Sequence, residues 1–381
     1  MTFERRLLLD QETQSSDAAT RRVSLPRRGL LSGLTLRTRI TNGATSGLEK
    51  VFEAIDRVEV VADGSNVLFS VQGVALYRLA HFIYGNEPAH RQDQQLSVVQ
   101  ELTLPILFGR WFGDADFGLN LGAYRDVELR IQYSPTIGAT NFVTATTQFH
   151  VIMWIDDDDS VVSRGRGFLR TVEVRAFTSL ASGEESIELA RLYPYWDLMV
   201  YAREAAIDDA VDITIAEVRV DDRRYIPATG RWDDWQAENE KEFRIDARHE
   251  GIMLRGDTET FDTHTGRIWS ARVTPIFVQS DAAGIITVMV GSIAGDRLTM
   301  SVSDAADAAA STHFTAAAAD RAIMWEASGL GVGNAILIPF ARGGNPDLVL
   351  PAPDFARLQL ALTQGGAGAD VQVLTRELVP V

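Results

Sequence analysis

Hydrophobic and polar residues alternate along much of the chain, and this pattern predicts β-strands. In residues 34–40, 102–108 and 127–133 nearly every second position is apolar, as in a strand with one buried face. Turn-forming pairs such as Asn42-Gly43 and Ser134-Pro135 separate the runs. Short strands punctuated by Gly and Pro predict an all-β sandwich or barrel rather than a βαβ fold.

One unit of this pattern occurs twice. Residues 55–84 combine an alternating strand, an Asp-Gly-Ser turn, a short apolar run and a helical pattern that begins near Gly73. Residues 213–242 repeat the order with a turn at Asp221-Asp222, but their helical segment, residues 231–242, is far more polar. The repeat indicates an internal duplication whose two halves present different surfaces.

A charged and then glycine-rich stretch, residues 156–167, is the best domain boundary. It follows the last long strand of the first half, and a second series of strands begins at residue 168. We therefore predict an N-terminal basic arm at residues 1–29, a first β-domain at 30–162 and a second at 163–381. Residues 304–320 are Ala-rich and fit either a surface helix or a loop.

Composition and charge exclude several classes of function. The chain has 381 residues and a net charge of −16, which argues against a nucleic-acid-binding surface over most of it. It has no cysteine, so a disulfide framework, a thiolate metal site and a cysteine nucleophile are excluded. No run approaches the roughly 20 apolar residues that span a bilayer, and the N-terminus does not have the pattern of a secretory signal.

The N-terminal arm is basic although the body is acidic. Its arginines are Arg5, Arg6, Arg21, Arg22, Arg27 and Arg28. Such an asymmetry is typical of a tail that contacts an anionic partner, which here would be lipid or nucleic acid. The alternative is a solvated, disordered terminus.

Two groups of residues could bind a metal ion. Asp156, Asp157, Asp158 and Asp159 offer four adjacent carboxylates that could hold Ca²⁺, but a solvated turn between domains is favoured because neighbouring strand residues point to opposite faces. The histidines near carboxylates, His249 and His264, lack the spacing of a metal-binding jelly roll, so surface or loop histidines are favoured.

Other motifs point to structure rather than catalysis. The glycines of residues 329–333 precede an apolar run instead of a helix, which favours a turn or bulge over a dinucleotide site. Trp232 and Trp235 could stack on sugars, but the pair more often anchors a segment on a core. A pair of carboxylates for glycoside hydrolysis stays open, because the two could come from distant strands.

The order of elements in the first half resembles that of double jelly-roll major capsid proteins from tailless icosahedral, PRD1-adenovirus-like viruses. The strand, turn, short strand and helix of residues 58–84 are similar to the opening of that family's first half. The runs 104–109, 118–121 and 124–133 are similar to its next strands and the loop between them.

The second half resembles the same family. Residues 167–171 and 192–195, followed by the repeated unit at 213–242, are similar to the opening of the family's second jelly roll. The resemblance covers most of the chain as an order of elements, and the final hundred residues match least.

The resemblance implies an all-β fold of two tandem eight-stranded jelly rolls with a few short helices in loops. Three copies would form a pseudo-hexameric homotrimer that tiles an icosahedral virion shell over an internal membrane, after assembly in the host cytoplasm. The implied partners are further copies of the chain, penton and minor capsid proteins, and inner membrane lipid through the arm, with no specific nucleic acid. No enzymatic activity and no cofactor are expected.

Two other classes of function remain open from the sequence. One is a carbohydrate-binding or glycan-active β-sandwich protein, which would need an aromatic-lined groove with paired carboxylates. The other is a trimeric spike or fibre protein, which would be elongated with intertwined chains.

Overall fold

The computed structural model describes residues 3–44, 49–91, 97–158, 165–203, 212–245, 248–253, 259–262, 265–278, 286–294, 297–304, 321–333 and 335–380. The strands of the first half are β1 (Glu4–Thr13), β2 (Ala19–Ser24), β3 (Leu30–Thr41), β4 (Ile55–Ala62), β5 (Asn66–Val71), β6 (His90–Arg91), β7 (Val99–Leu107), β8 (Leu119–Asn120), β9 (Val127–Tyr133) and β10 (Gln148–Asp156). Those of the second half are β11 (Phe168–Thr178), β12 (Gly183–Glu188), β13 (Tyr195–Arg203), β14 (Ile213–Val220), β15 (Tyr225–Arg231), β16 (Arg248–Met253), β17 (Glu259–Asp262), β18 (Thr265–Val278), β19 (Ile286–Ala294), β20 (Arg297–Asp304), β21 (Arg321–Val332), β22 (Ala335–Pro339), β23 (Leu358–Gln364) and β24 (Asp370–Val379). The α-helices of the described residues are α1 (Gly73–Tyr84) and α2 (Trp232–Phe243).

The strands form four sheets, which confirms the all-β prediction. Sheet 1 has the order β1-β10-β3-β7-β6, with β8 paired to β3. Sheet 2 is 11-stranded, with the order β16-β21-β22-β13-β24-β11-β5-β4-β9-β2 and β18 paired to β21. Sheet 3 has the order β12-β23-β14-β15, and sheet 4 the order β17-β20-β19.

The first half is a sandwich in which β1, β10, β3 and β7 of sheet 1 face β2, β9, β4 and β5 of sheet 2. The alternating strands predicted from the sequence direct their apolar residues into the space between these sheets. Fully buried core residues from the two sheets are Leu34, Leu36, Leu104, Val151, Val58, Phe69 and Leu129. Each such side chain contributes about 1.5–3 kcal/mol by leaving water.

The second half is a sandwich of the same kind. Here β11, β24, β13 and β22 of sheet 2 face all four strands of sheet 3. The buried side chains between them include Leu198, Val200, Ile336, Val373, Val218 and Leu360. Both halves therefore have the two-layer form of a jelly roll.

Sheet 2 runs without a break through both halves. Its continuity depends on β5 and β11, which pair in parallel through Phe69 with Thr171 and Ser70 with Val172. Because the strands of one sheet are hydrogen-bonded neighbours, the two sandwiches form one connected body.

Helix α1 of the first half covers the second half's part of sheet 2. Residues 195–202 of β13 are buried at every position. Leu198 and Val200 pack against sheet 3, whereas Met199 and Tyr201 belong to the same apolar cluster as α1 and the first sandwich. A strand covered on both faces is apolar throughout instead of alternating.

The repeated unit is confirmed by the structure. It consists of β4, β5 and α1 in the first half, and of β14, β15 and α2 in the second. Helix α1 buries nine of its twelve residues and ends at Gly85, whose φ of 69° favours glycine. Helix α2 buries Trp232, Trp235, Gln236 and Asn239 and exposes its other face, so the two copies present different surfaces.

The N-terminal residues are not a tail separate from the body. Strand β1 pairs antiparallel with β10 at one edge of sheet 1, and β2 pairs antiparallel with β9 at one edge of sheet 2. Leu9 and Val23 reach the first core. The arm prediction is corrected in this respect: edge strands expose most of their side chains, so their charged sequence resembles that of a solvated terminus.

The other predicted boundaries stay predictions. Residues 159–164 lie outside the described residues, as do residues 305–320, which include most of the Ala-rich segment. Strands β16 to β21 are inserted between α2 and β22 and include the three strands of sheet 4. No helix among the described residues is long and apolar enough to cross a bilayer.

Candidate functional site

The six predicted contact residues lie in three separate places: Arg5 and Arg6 on β1, Arg21 and Arg22 on β2, and Arg27 and Arg28 just before β3. β1 and β2 belong to different sheets, so the structure does not gather the arginines into one patch. Their role in partner contact stays a prediction.

Some of these arginines hold the N-terminal strands in place. Arg6 donates to Glu4 at 2.7 Å and to Asp157 at 2.6 Å, and hydrogen bonding to the two carboxylates raises the pKa of Arg6. Arg21 pairs with Glu12 at 2.8 Å, which joins β2 to β1 across the sandwich edge. These arginines are therefore neutralised within the chain.

Arg5, Arg27 and Arg28 differ from the other three in their surroundings. All three are exposed, and within the described residues none has an ion pair. Arg27 and Arg28 are adjacent and precede Gly29, which lies beside Asp157 at the end of β10. This pair therefore offers two neighbouring unpaired charges to a partner.

The acidic run has a structural role at the end of β10. Asp156 is buried, and its Oδ1 accepts the Asp158 N–H at 2.9 Å. Asp157 binds Arg6, and Asp159 lies outside the described residues. No group of three or more His, Cys, Asp or Glu side chains in the described part of the chain is placed to hold a metal ion.

Two other interpretations can be checked against the structure. Trp232 and Trp235 are buried in the second core, so they are core anchors and not a sugar-stacking pair. Residues 329–332 are the end of β21, and the next described element is the strand β22 rather than a helix, which does not fit a dinucleotide site. The side chains of His249 and His264 lie outside the described residues.

The seam between the halves, defined as the β5–β11 pairing and the side chains beside it, is cross-linked by polar contacts. Arg57 pairs with Glu173 at 3.0 Å. Arg170 donates its Nε to the Val67 carbonyl at 3.0 Å. These contacts are part-buried, where an ion pair is screened less than on the surface.

A second set of contacts extends the seam along β24. Arg170 also binds Glu377 at 2.9 Å, and Gln372 donates to Gln72 at 2.7 Å. Burial raises the pKa of Glu377 even though Arg170 opposes the shift. The seam thus fixes the two sandwiches relative to each other by side chains as well as by backbone.

A cleft of about 290 Å³ opens between the ends of α1 and α2, over β13, β22 and β24. Its walls are mainly apolar, and its lining residues include Phe82, Ile83, Trp111, Trp196, Phe243, Leu337 and Pro339. Asp197 and Arg376 also line it and form a buried ion pair, in which the Arg376 Nε lies 2.9 Å from the Asp197 Oδ1. The cleft therefore offers apolar surface with its most deeply buried charges already paired.

Sequence reasoning missed this cleft because its walls come from segments far apart in the chain. One local signal was present in the loop after β7. Arg110 and Asp114 are four residues apart and form an ion pair at 2.7 Å. The Arg110 guanidinium lies 4.3 Å from the centre of the Trp111 ring, so the loop holds an exposed indole in a fixed place.

No protein-family model and no curated protein sequence matches the chain. Solved structures do match it over nearly its whole length. The chain resembles the major capsid protein of Sulfolobus turreted icosahedral virus, with a TM-score of 0.60 and 12% identity, over 99% of this chain and 97% of that one.

Two further structures show the same likeness. The PBCV-1 virus capsid protein matches with a TM-score of 0.57 and 8% identity, over 99% of this chain and 93% of that one. The major capsid protein of bacteriophage PM2 matches with a TM-score of 0.53 and 11% identity, over 99% and 98%. The chain thus has the double jelly-roll fold of viral major capsid proteins, as the resemblance in its order of elements implied.

Proposed function

We propose that this chain is a viral major capsid protein whose homotrimers, with a pseudo-hexagonal outline, build an icosahedral shell. The observation that carries the proposal is the match of the entire chain, both sandwiches together, to capsid proteins over 93–98% of their length. A fold hosts many functions, so the proposal also needs physical support from this chain.

The seam supplies part of that support. A shell subunit must transmit contact forces between neighbours without bending at a hinge. The parallel β5–β11 pairing and the Arg57–Glu173 pair join the sandwiches into one block. A net charge of −16 limits uncontrolled association before assembly.

Solution mass and negative-stain imaging of the purified full chain test the proposal. A mass of three chains and compact particles with a pseudo-hexagonal outline are expected. A monomer that forms no larger assembly at any salt concentration would contradict it. A rod-like trimer in small-angle scattering would favour the spike or fibre class instead, and hydrolysis or tight binding of glycans would favour the carbohydrate class.

The finer proposal is that Arg27 and Arg28 contact the headgroups of an internal membrane. They are exposed and lack an ion pair within the described residues. An arginine near an anionic bilayer contributes about 1 kcal/mol of binding. Deleting residues 1–28 is a poor test, because it removes β1 and β2 from their sheets.

Substitution of the two arginines is the sharper experiment. The double substitution Arg27→Ser with Arg28→Ser should bind vesicles that contain anionic lipid more weakly than the wild type does. Binding of the wild type should also weaken as the salt concentration is raised. Arg21→Ser is the matched control, because Arg21 is already paired with Glu12. Equal binding of all three proteins would remove the membrane role.

A further inference from the structure

The cleft between α1 and α2, called the Trp111 cleft below, has an exposed aromatic side chain at its rim that neighbouring groups hold in place. Trp111 is 53% exposed. Arg110, which lies over its ring, is held by Asp114 at 2.7 Å and Asp116 at 2.8 Å. The same guanidinium lies 4.9 Å from the Phe117 ring. A fixed aromatic side chain loses little conformational entropy when a partner packs on it.

The size and chemistry of the cleft restrict its occupant. A volume of about 290 Å³ is at or below the lower limit of a small-molecule site and fits one or two side chains. The walls are apolar, and Arg376 and Asp197 at the inner surface bind each other. The cleft therefore suits an apolar side chain that projects from another protein surface.

The rim of the cleft carries excess negative charge. Arg110 is paired with two carboxylates, Asp114 and Asp116. Arg342 is likewise shared between Glu238 and Glu242, at 3.7 and 3.4 Å. Each arginine thus faces two acids, so an apolar side chain flanked by a cation would complement the rim.

The loop between β12 and β13 presents such a side chain. Leu192 is 71% exposed, the highest value among the large apolar residues of the described chain, and it follows the exposed Arg191. Apart from Trp111 itself, the other exposed large apolar residues next to arginines are Leu7, Val174 and Tyr225. These three lie within strands, where neighbouring side chains point to opposite faces. Leu192 lies in a loop instead, and the exposed Arg191 guanidinium beside it is held by the Phe355 carbonyl, to which it donates at 2.7 Å.

The loop and the cleft lie at the same end of the strands. Pro194 accepts the Leu378 N–H at 2.8 Å near the end of β24, and Trp196 at the start of β13 lines the cleft. Leu192 is too exposed to fill the cleft of its own chain. A second copy, standing side by side with the first, can supply it.

We propose that Leu192 and Arg191 of one copy dock into the Trp111 cleft of the next copy. The two surfaces differ, so the contact is heterologous, and three such contacts close a ring. This inference rests on the proposed trimer and names one of its contacts. Trp111 acts as the aromatic anchor, a residue type enriched among those that dominate interface energies.

Oligomer dissociation measured by mass photometry tests the contact in the full chain. Trp111→Ala and Leu192→Asp should each weaken the trimer at least about tenfold, with circular dichroism unchanged. Leu180→Asp is the matched control, because Leu180 is 62% exposed in the loop between β11 and β12. A trimer that dissociates equally in all variants would overturn this contact while leaving the proposed function intact. A monomeric wild type would overturn the proposed function itself.

Cross-linking gives a second and independent readout. The chain has no cysteine, so Ile83→Cys in the cleft wall and Leu192→Cys introduce the only thiols. The double variant should give covalent trimers with a short bismaleimide, whereas either single variant should not. If the double variant is trimeric before treatment but gives only monomers after cross-linking, that result would also overturn the contact.

Discussion

Phe69 in β5 and Thr171 in β11 pair in parallel register, and this pairing joins the two sandwiches into one sheet. Parallel neighbours need a long connection between them, and here about a hundred residues of the first half provide it. The relationship explains why a chain with two similar halves forms one block instead of two domains on a linker.

The Arg57–Glu173 ion pair should contribute measurably to the seam. In a double-mutant cycle with Arg57→Ala and Glu173→Ala, we expect a coupling energy of about 1 kcal/mol from urea unfolding. Arg125 and Asp126 form the control pair, because both are largely exposed and should couple by close to zero. Equal coupling in the two cycles would show that the seam ion pair adds no stability.

Asp114→Asn should destabilise the fold by about 3 kcal/mol, because it leaves the part-buried Arg110 without its main counter-charge. Burial alone would raise the pKa of Asp114, yet hydrogen bonds from the Arg110 side chain and backbone hold it below its usual value. Urea unfolding followed by tryptophan fluorescence measures the change. Asp116→Asn, at a 55% exposed side chain, should cost less than about 1 kcal/mol, and a similar loss in both variants would contradict the ranking.

His150 should make stability fall at mildly acidic pH. Burial in sheet 1 and the nearby charge of Arg37 lower the pKa of His150 from 6.5, although Asp10, whose Oδ1 lies 3.2 Å from the His150 Nδ1, opposes this shift. The unfolded chain therefore takes up the proton first, so stability present above pH 6.5 is lost as the pH falls towards the folded-state pKa.

His150→Gln should remove this part of the pH dependence. The measurement is the urea midpoint of both proteins between about pH 7.5 and pH 5.5. The difference between the two curves isolates the contribution of His150 from that of the carboxylates, which titrate at lower pH. Parallel curves would mean that His150 has the same proton affinity in both states.

Gly73→Ala should disrupt the start of α1. A Cβ atom there would lie 2.5 Å from the Ile55 carbonyl oxygen, and backbone cannot move away without shifting the helix or β4. We expect a loss of about 3 kcal/mol or more, of the size seen for severe overpacking. Gly138→Ala, where a Cβ meets nothing within 4 Å, should be nearly neutral, and thermal unfolding of both variants compares them.

Much of the fold was predictable because it depends on local patterns. Residues 55–84 showed their strand, turn and helix because one face of each is buried, and burial leaves a period of two or 3.6 in the sequence. The polar helix at residues 231–242 was predictable from the same signal plus its Trp232 and Trp235 anchors. Strands β1 and β2 were not recognised, because an edge strand with exposed charges has almost no such period.

The candidate site was mostly not predictable, because it depends on contacts between distant segments. The arginines at positions 5–28 suggested one basic tail, yet strand pairing sends them to different sheets and gives Arg6 and Arg21 partners within the chain. The Trp111 cleft brings together α1, α2, β13, β22 and β24, which no local window contains.

The sequence alone determined the all-β class, the duplicated unit and the absence of cysteine chemistry, since alternation and composition are properties of the chain itself. Only the tertiary structure decided that β5 and β11 lie side by side, that β13 is covered on both faces, and that an exposed Trp111 stands at the rim of a cleft. Those outcomes depend on which strands become neighbours, and many strands of similar pattern compete for each place in a sheet until packing selects among them.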